Sequence, residues 1–293
     1  MTNVNLSRHL DTLLNATIRN SGDRLRVIQK INDVINYRPT IAILGKTGVG
    51  KSSLCNALFG QDIAEVSDVE ACTRQPQEVL LGLGNKSLCL VDLPGVGESR
   101  SRDDEYAALY YGVLPKTDVI LWLLKADDRA YSVDEEFYKT IVAPHVADNK
   151  PFFFVLAQAD KIEPFREWNE KESIPGPNQQ ANLEKRRQYV AKCFDIPLSK
   201  VLTLSASENY RLTNLVEEIV FALPDEKKVG LVREVKPEMV SQRTRTETKA
   251  AFARTLGSAL TGAGIGAAIG SVIPGIGTAL GAGIGSVLGW LFG

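Results

Sequence analysis

Thr40-Ile41-Ala42-Ile43-Leu44 runs directly into Gly45-Lys46-Thr47-Gly48-Val49-Gly50-Lys51-Ser52, and Ser53-Leu54-Cys55-Asn56-Ala57-Leu58 follows. A short apolar run, a glycine-rich loop and a helical pattern thus arrive in the order a phosphate-binding loop requires. Glycines let the backbone curl until successive N–H groups converge on one anion, and the helix N-terminus behind them adds partial positive charge. Gly45, Thr47, Gly48, Val49, Gly50, Lys51, Ser52 and Ser53 are the expected phosphate-side residues. Lys51 would reach the β- and γ-phosphates, and Ser52 would offer its hydroxyl to Mg2+, which favours hard oxygen ligands.

Outward from this loop, short apolar runs alternate with helical segments: 40–44, 78–83, 86–90, 118–124, 152–157 and 201–204. Six strands interleaved with helices predict an α/β fold, a three-layer P-loop NTPase domain over residues 38–224. Only Gly84-Asn85 separates the second and third runs, too short for a crossover, so that pair predicts an antiparallel hairpin and a mixed six-stranded sheet. The stretch 162–180 carries Pro164, Pro175, Gly176 and Pro177 and reads as an irregular insertion. Ahead of the domain, Leu6, Leu10, Leu13, Leu14 and Ile18, then Leu25, Ile28, Ile31 and Ile35, recur at helical spacing and predict an N-terminal helical segment over 1–37.

Forty residues past Ser52, Leu88-Cys89-Leu90-Val91 runs into Asp92-Leu93-Pro94-Gly95. A carboxylate ending a strand there would hold Mg2+ through water, and the Gly95 N–H would meet the γ-phosphate. A plain strand-ending turn is the commoner meaning of such a motif.

These residues resemble the translation-factor-like GTPases of the Era and TrmE type. The phrase GKTGVGKSS is similar to that of prophage-encoded bacterial GTPases, septins and immunity-related GTPases, and the resemblance spans about residues 39–223. It implies GTP as ligand, Mg2+ as cofactor and a switch threonine on the metal. Thr73 is the best match, with Ser67 or no equivalent as the alternatives. Lys51, Thr73 and Gly95 are the catalytic candidates the resemblance implies, and Ser52, Thr73 and Asp92 the metal candidates.

The family's base motif, N/T-K-x-D, falls on Ala157-Gln158-Ala159-Asp160, where only the aspartate is retained. Asp160 can accept both N–H groups of guanine's Watson–Crick edge, a charge-assisted pair that adenine does not offer. Ala157 cannot make the amide's contacts, and Gln158 lays a stem over the base without bringing a cation, a loss of roughly 1–3 kcal/mol if a bidentate-scale contact is missing. Ser205-Ala206-Ser207 matches the loop that backs the base through main-chain N–H groups.

Val96 stands where Ras-like enzymes carry the glutamine that orients water. Gly48 occupies the position of the asparagine on which the family's potassium route depends. Turnover is therefore expected to be slow, or activated by a partner or a second copy across the nucleotides. Arg74, Arg100 and Arg102 are either charge stabilisers in trans or solvated surface arginines.

From Thr255 to Gly293 no side chain ionises, and 12 of the chain's 24 glycines fall there. Gly262, Gly266 and Gly270 stand four apart, Pro274-Gly275 intervenes, and Gly277, Gly281, Gly285 and Gly289 repeat the spacing. This glycine zipper predicts two helices joined as a hairpin, each about 26 Å long against the ~30 Å of a bilayer core. A membrane-associating tail over 255–293, a hairpin buried on the protein and a glycine linker are the three readings. Residues 225–254 predict a polar connector, either helical or irregular, whose Arg243, Arg245, Lys249 and Arg254 suit a headgroup region.

The 34 basic and 35 acidic residues balance, which disfavours nucleic acid as a partner. Four scattered cysteines and two isolated histidines, His9 and His145, suggest neither a disulfide framework nor a zinc site. The expectation is a cytoplasmic GTP-binding switch with low intrinsic GTPase activity, possible homodimerisation through the G domain, and a tail at the inner face of a membrane. A degenerate nucleotide-sensing adaptor without useful hydrolysis is the alternative. A ribosome-assembly role lacks the basic RNA-binding domain that some Era relatives carry.

Overall fold

The computed structural model describes residues 21–46, 48–59, 82–83, 86–87, 110–112, 114–146 and 150–261. These form two compact units, one of residues 39–219 and 235–239, the other of 21–38, 220–234 and 240–261.

In the first unit, β1 (Ile41–Leu44), β4 (Val119–Lys125), β5 (Phe152–Ala157) and β6 (Val201–Thr203) form a four-stranded sheet in the order β1-β4-β5-β6, parallel throughout. Its strands are almost wholly buried, which is why they read as continuous apolar runs. Such strands need helical crossovers, and α2 (Lys51–Phe59), α3 (Ser132–Phe137), α4 (Pro177–Phe194) and α5 (Leu212–Ala222) lie between or after them. The expected hairpin exists as β2 (Gly82–Leu83) and β3 (Lys86–Ser87), antiparallel, with Leu83 opposite Lys86. It forms a sheet of its own, so the described residues make four parallel strands and a separate pair instead of one mixed sheet of six. The flanks that would extend the hairpin, 78–81 and 88–90, lie outside the described residues.

An aromatic cluster holds the sheet to its helices. Phe154 on β5 sits 4.3 Å from Phe194 at the end of α4, 5.1 Å from Tyr138 and 5.8 Å from Trp122 on β4, centroid to centroid. Offset and edge-on contacts of this kind add to the area the rings bury. Register then decides where function sits. Lys125 pairs with Ala157, so β4 and β5 end together, and β1 ends at Leu44 opposite Trp122, three residues short of the end of β4; being parallel, all three send their following loops to the same end of the sheet. That end is where parallel sheets hold ligands.

The stretch 162–180 is short turns leading into α4. Asn169 and Ile174 form an isolated bridge, and Glu167 caps α4, its carboxylate accepting from the N–H groups of Asn178 (3.0 Å) and Gln179 (3.4 Å). The Asn178 side chain adds a 2.7 Å bond and holds the Glu167 carboxyl below its usual range. Carboxylates suit the unpaired N–H groups and positive end of a helix dipole.

The second unit joins α1 (Ser21–Asn36), α6 (Asp225–Glu234) and α7 (Gln242–Thr261). Val27, Ile31, Val34 and Ile35 bury one stripe of α1. Residues 225–254 are mostly helix, one of the two forms expected for the connector. On α7, Thr244, Thr248, Ala251, Phe252, Thr255 and Leu256 recur at helical spacing and are all buried. The Thr248 hydroxyl donates to the Thr244 carbonyl at 2.8 Å, so a polar residue can face inward. Gly230 lets α6 approach the Tyr37 carbonyl, which a Cβ would meet at 2.5 Å, and the Arg233 guanidinium donates to the Ile35 carbonyl.

Four charges pin α6 to α7. Buried Lys228 contacts Glu247 at 2.6 Å and Asp225 at 3.3 Å, and Arg254 reaches Asp225 at 2.6 Å and Glu247 at 2.7 Å. The Arg254 guanidinium holds the Asp225 carboxyl below its usual range; at Glu247 burial pulls upward, but Lys228 and Arg254 outweigh it.

α7 continues past the expected start of the tail. Residues 262–293, which carry the zipper glycines, and residues 1–20, with the first predicted helix, lie outside the described residues. Among the described residues no helix is long and apolar enough to cross a membrane.

Candidate nucleotide site

β1 ends at Leu44 and the loop turns at once. Gly45, Gly48 and Gly50 have φ of 140°, 75° and 105°, where side-chain-bearing residues are rarely found. At Gly45 space is also lacking, since a Cβ would stand 2.6 Å from the Leu123 carbonyl oxygen of β4. Val49 is buried behind the loop, and α2 starts at Lys51. The Lys51 ammonium donates to the carbonyls of Gly45 (2.7 Å) and Lys46 (3.1 Å), which folds it back over the loop. Ser52 is half-buried and Ser53 exposed on the first turn of the helix.

Lys46 is anchored from the other side. Its ammonium lies 2.5 Å from Asp134, a carboxylate only 1% exposed on α3. Burial pushes the Asp134 carboxyl above the usual carboxylate range, with the Lys46 ammonium opposing that rise. A cavity of about 250 Å³ lies here, lined by Lys46, Val49, Lys125, Asp128 and Asp134 among others. The Lys125 ammonium stands 3.9 Å from where a Gly48 side chain would begin, and the buried Tyr131 hydroxyl donates to the Lys125 carbonyl at 2.7 Å.

Beside the phosphate loop, β5 ends at Ala157. Gln158 then adopts a left-handed backbone (φ 58°, ψ 43°), and Ala159–Lys161 make one 3-10 turn. The buried Gln179 amide of α4 fixes this loop, donating to the carbonyls of Asp160 (3.1 Å) and Ile162 (3.0 Å). Just past β6, the Leu204 carbonyl accepts from Ala159 N–H at 3.0 Å, bringing the loop of Ser205 and Ala206 alongside. Ser205 and Ser207 hydroxyls stand 3.1 Å apart, and Ser205 bridges to Tyr210. A cavity of about 630 Å³ opens here, lined by Asp160, Lys161, Phe165, Trp168, Glu170 and Glu208. Asp160 Oδ1 is buried and has no hydrogen-bond partner among the described residues. The loops carrying the expected phosphate and base residues therefore meet at one sheet edge.

Gln158 reaches across to the phosphate loop. Its amide nitrogen donates to the Gly48 carbonyl of the phosphate loop at 2.8 Å, and its amide oxygen accepts from the Lys161 ammonium at 2.9 Å. A cation is thus present at this loop, three residues downstream of the motif position. Sequence reasoning also passed over Gln179, Asp134 and Lys125. For Asp134 the available signal was an acid on the helix after β4, opposite a loop that begins with a lysine. Thr47, Thr73, Asp92, Gly95, Val96 and the three arginines 74, 100 and 102 lie outside the described residues.

Residues 40–158 match the family described as 50S ribosome-binding GTPase. The chain is 42% identical to the uncharacterized protein YkfA of Escherichia coli (strain K12), over 80% of this chain and 79% of that protein. It is a member of the P-loop GTPase family. GTPase Der of Leptospira borgpetersenii is 31% identical over 62% of this chain and 35% of Der. Among solved structures, a probable GTP-binding protein engB superposes with a TM-score of 0.46 at 18% identity, covering 62% of this chain and 97% of that one. As a member of this family the chain has the family's α/β fold built on a parallel sheet, and Mg2+ is the metal such GTPases use with their nucleotide.

Proposed function

We propose that this chain binds GTP and GDP with Mg2+ and hydrolyses GTP slowly, acting as a nucleotide switch of the Era and TrmE type. The observation that carries this reading is the pairing of a positive-φ glycine loop under the Lys51 ammonium with an unpartnered, buried Asp160 oxygen at the end of the next strand but one. Backbone N–H groups and Lys51 hold the phosphates, and Asp160 accepts the guanine N–H pair while Ser205 and Ala206 back the base. The donor set suits Mg2+, since the Ser52 hydroxyl and the Asp92 carboxylate are hard oxygens. When bound, the ion neutralises charge on the phosphates.

Slow turnover rests on Val96 and on Gly48, which lacks the potassium-ligating amide. Activation by a partner or by a second copy facing the first supplies what the chain lacks. The apolar tail over 255–293 associates with a membrane and couples that association to the nucleotide state.

Titration of the full chain with GTP, GDP and ATP in the presence of Mg2+ tests the core of this reading. Tight binding of the guanine nucleotides and its loss in Lys51→Ala are expected; equal affinity for ATP would overturn it. Phosphate release under single turnover separates the slow enzyme from an adaptor that binds without hydrolysing. Sedimentation with anionic vesicles in GTP, GDP or no nucleotide, with and without residues 262–293, tests the tail. Identical sedimentation in every arm removes the membrane role.

A further inference from the structure

Resting on the guanine-nucleotide reading of this site, we propose that Gln158 and Lys161 act as one positioning unit. The pair ties the phosphate loop to the base loop, supplies the cation missing from the A-Q-A-D motif, and sets affinity for guanine nucleotides.

The Gln158 side chain is used at both ends. Gly48 offers it a carbonyl, which only accepts, and Lys161 offers an ammonium, which only donates, so the amide has one orientation that satisfies both. The ammonium makes its bond charge-assisted, and a polarised amide is in turn a better donor to Gly48. Gly48 belongs to the loop whose N–H groups must converge on phosphate. Fixing its carbonyl fixes the plane of the whole Gly48–Val49 peptide, because that unit is rigid.

At the other end Lys161 lines the same cavity as Asp160, one residue away. The backbone repeats the connection, with Lys161 N–H donating to the Gln158 carbonyl at 3.0 Å. Gln179 holds the carbonyls of Asp160 and Ile162, so the base loop is braced from behind. A line of bonds therefore runs from the phosphate end to the base end of one ligand site.

Backbone conformation adds a second observation. Gln158 sits at φ 58°, where glycine is at ease and a side-chain-bearing residue is uncommon. Such positions persist where the surroundings hold them and concentrate at functional sites. Here the compensation comes from the two side-chain bonds, which a glycine would lack.

The test measures GDP affinity of the full chain with Mg2+ for Lys161→Ala, Gln158→Ala, the double variant and Gln158→Gly. Each single variant is expected to bind about ten- to a hundredfold more weakly, the scale of a lost hydrogen bond to a charged group. The double variant is expected to be no weaker than the singles, as for residues acting as a unit. Gln158→Gly should melt with the parent yet bind as weakly as Gln158→Ala, which separates positioning from folding. Gln158→Lys in the Lys161→Ala background should restore binding by returning a cation to the loop. Parental affinity in Lys161→Ala, or losses that multiply in the double variant, would overturn the pairing while leaving the guanine reading intact. A parent chain that fails to prefer GDP over ADP overturns both.

Discussion

Single residues at this site can be judged by what their replacement would meet. Asparagine at 160 presents one acceptor and one donor where guanine needs two acceptors, so Asp160→Asn should weaken GDP binding about a hundredfold or more. The same variant gains affinity for xanthosine diphosphate, whose edge offers the complementary carbonyl; competition binding with both nucleotides checks the exchange. At Gly45 an alanine meets the Leu123 carbonyl in a backbone region it rarely adopts. Gly45→Ala should lower unfolding stability by about 1–3 kcal/mol, read from the denaturant midpoint, and abolish nucleotide binding. The positions of Gly45 after β1 and of Asp160 in the loop after β5 were legible in the sequence, the first because strand, glycine loop and helix follow one another and the second through its resemblance to the base motif. Lys161 was not. Its role depends on a left-handed residue and a 3-10 turn that bring position i+3 back onto Gln158, and neither leaves a periodic pattern.

Elements show the same division between local pattern and packing. The runs of β4 and β5 announced themselves as buried strands, and their aromatic content explains how firmly they are held. Phe154→Ala empties the centre of that cluster and should cost about 3–5 kcal/mol, measured by chemical unfolding. In α7 composition tells less than packing, because threonines among charged residues read as a polar connector. The Thr248 hydroxyl bonds to the preceding turn and the Thr244 hydroxyl to Ser241, so both can face inward, and burial of Lys228 among carboxylates turns apparent surface charge into internal structure. Glu247→Ala leaves Lys228 buried with only Asp225 at 3.3 Å. A loss of about 3 kcal/mol is expected, at the lower end for a broken buried pair.

For the whole molecule, acid should act through the helical unit. Asp225 and Glu247 titrate below their ordinary values in the folded chain. The stability they contribute is complete above the usual carboxylate range, about pH 4, and disappears as pH falls through the lower folded values. Thermal melts should therefore decline below about pH 4, and Glu247→Gln should start lower and decline less steeply. The boundary of the tail follows from packing too. A chain cut after Arg254 loses buried Thr255 and Leu256, whereas one ending at Thr261 keeps every buried residue of α7. The chain cut after Arg254 is therefore expected to melt below the one ending at Thr261.

Arg233 and Ile35 bond across 198 positions of chain. On a translating ribosome, α1 therefore leaves the exit tunnel long before α6 and α7 exist. Its apolar stripe must wait while the strands of the sheet are made, which makes the earliest helix of the described chain the last to find its neighbours. Arrest of translation before residue 225 would leave that stripe without either α6 or α7.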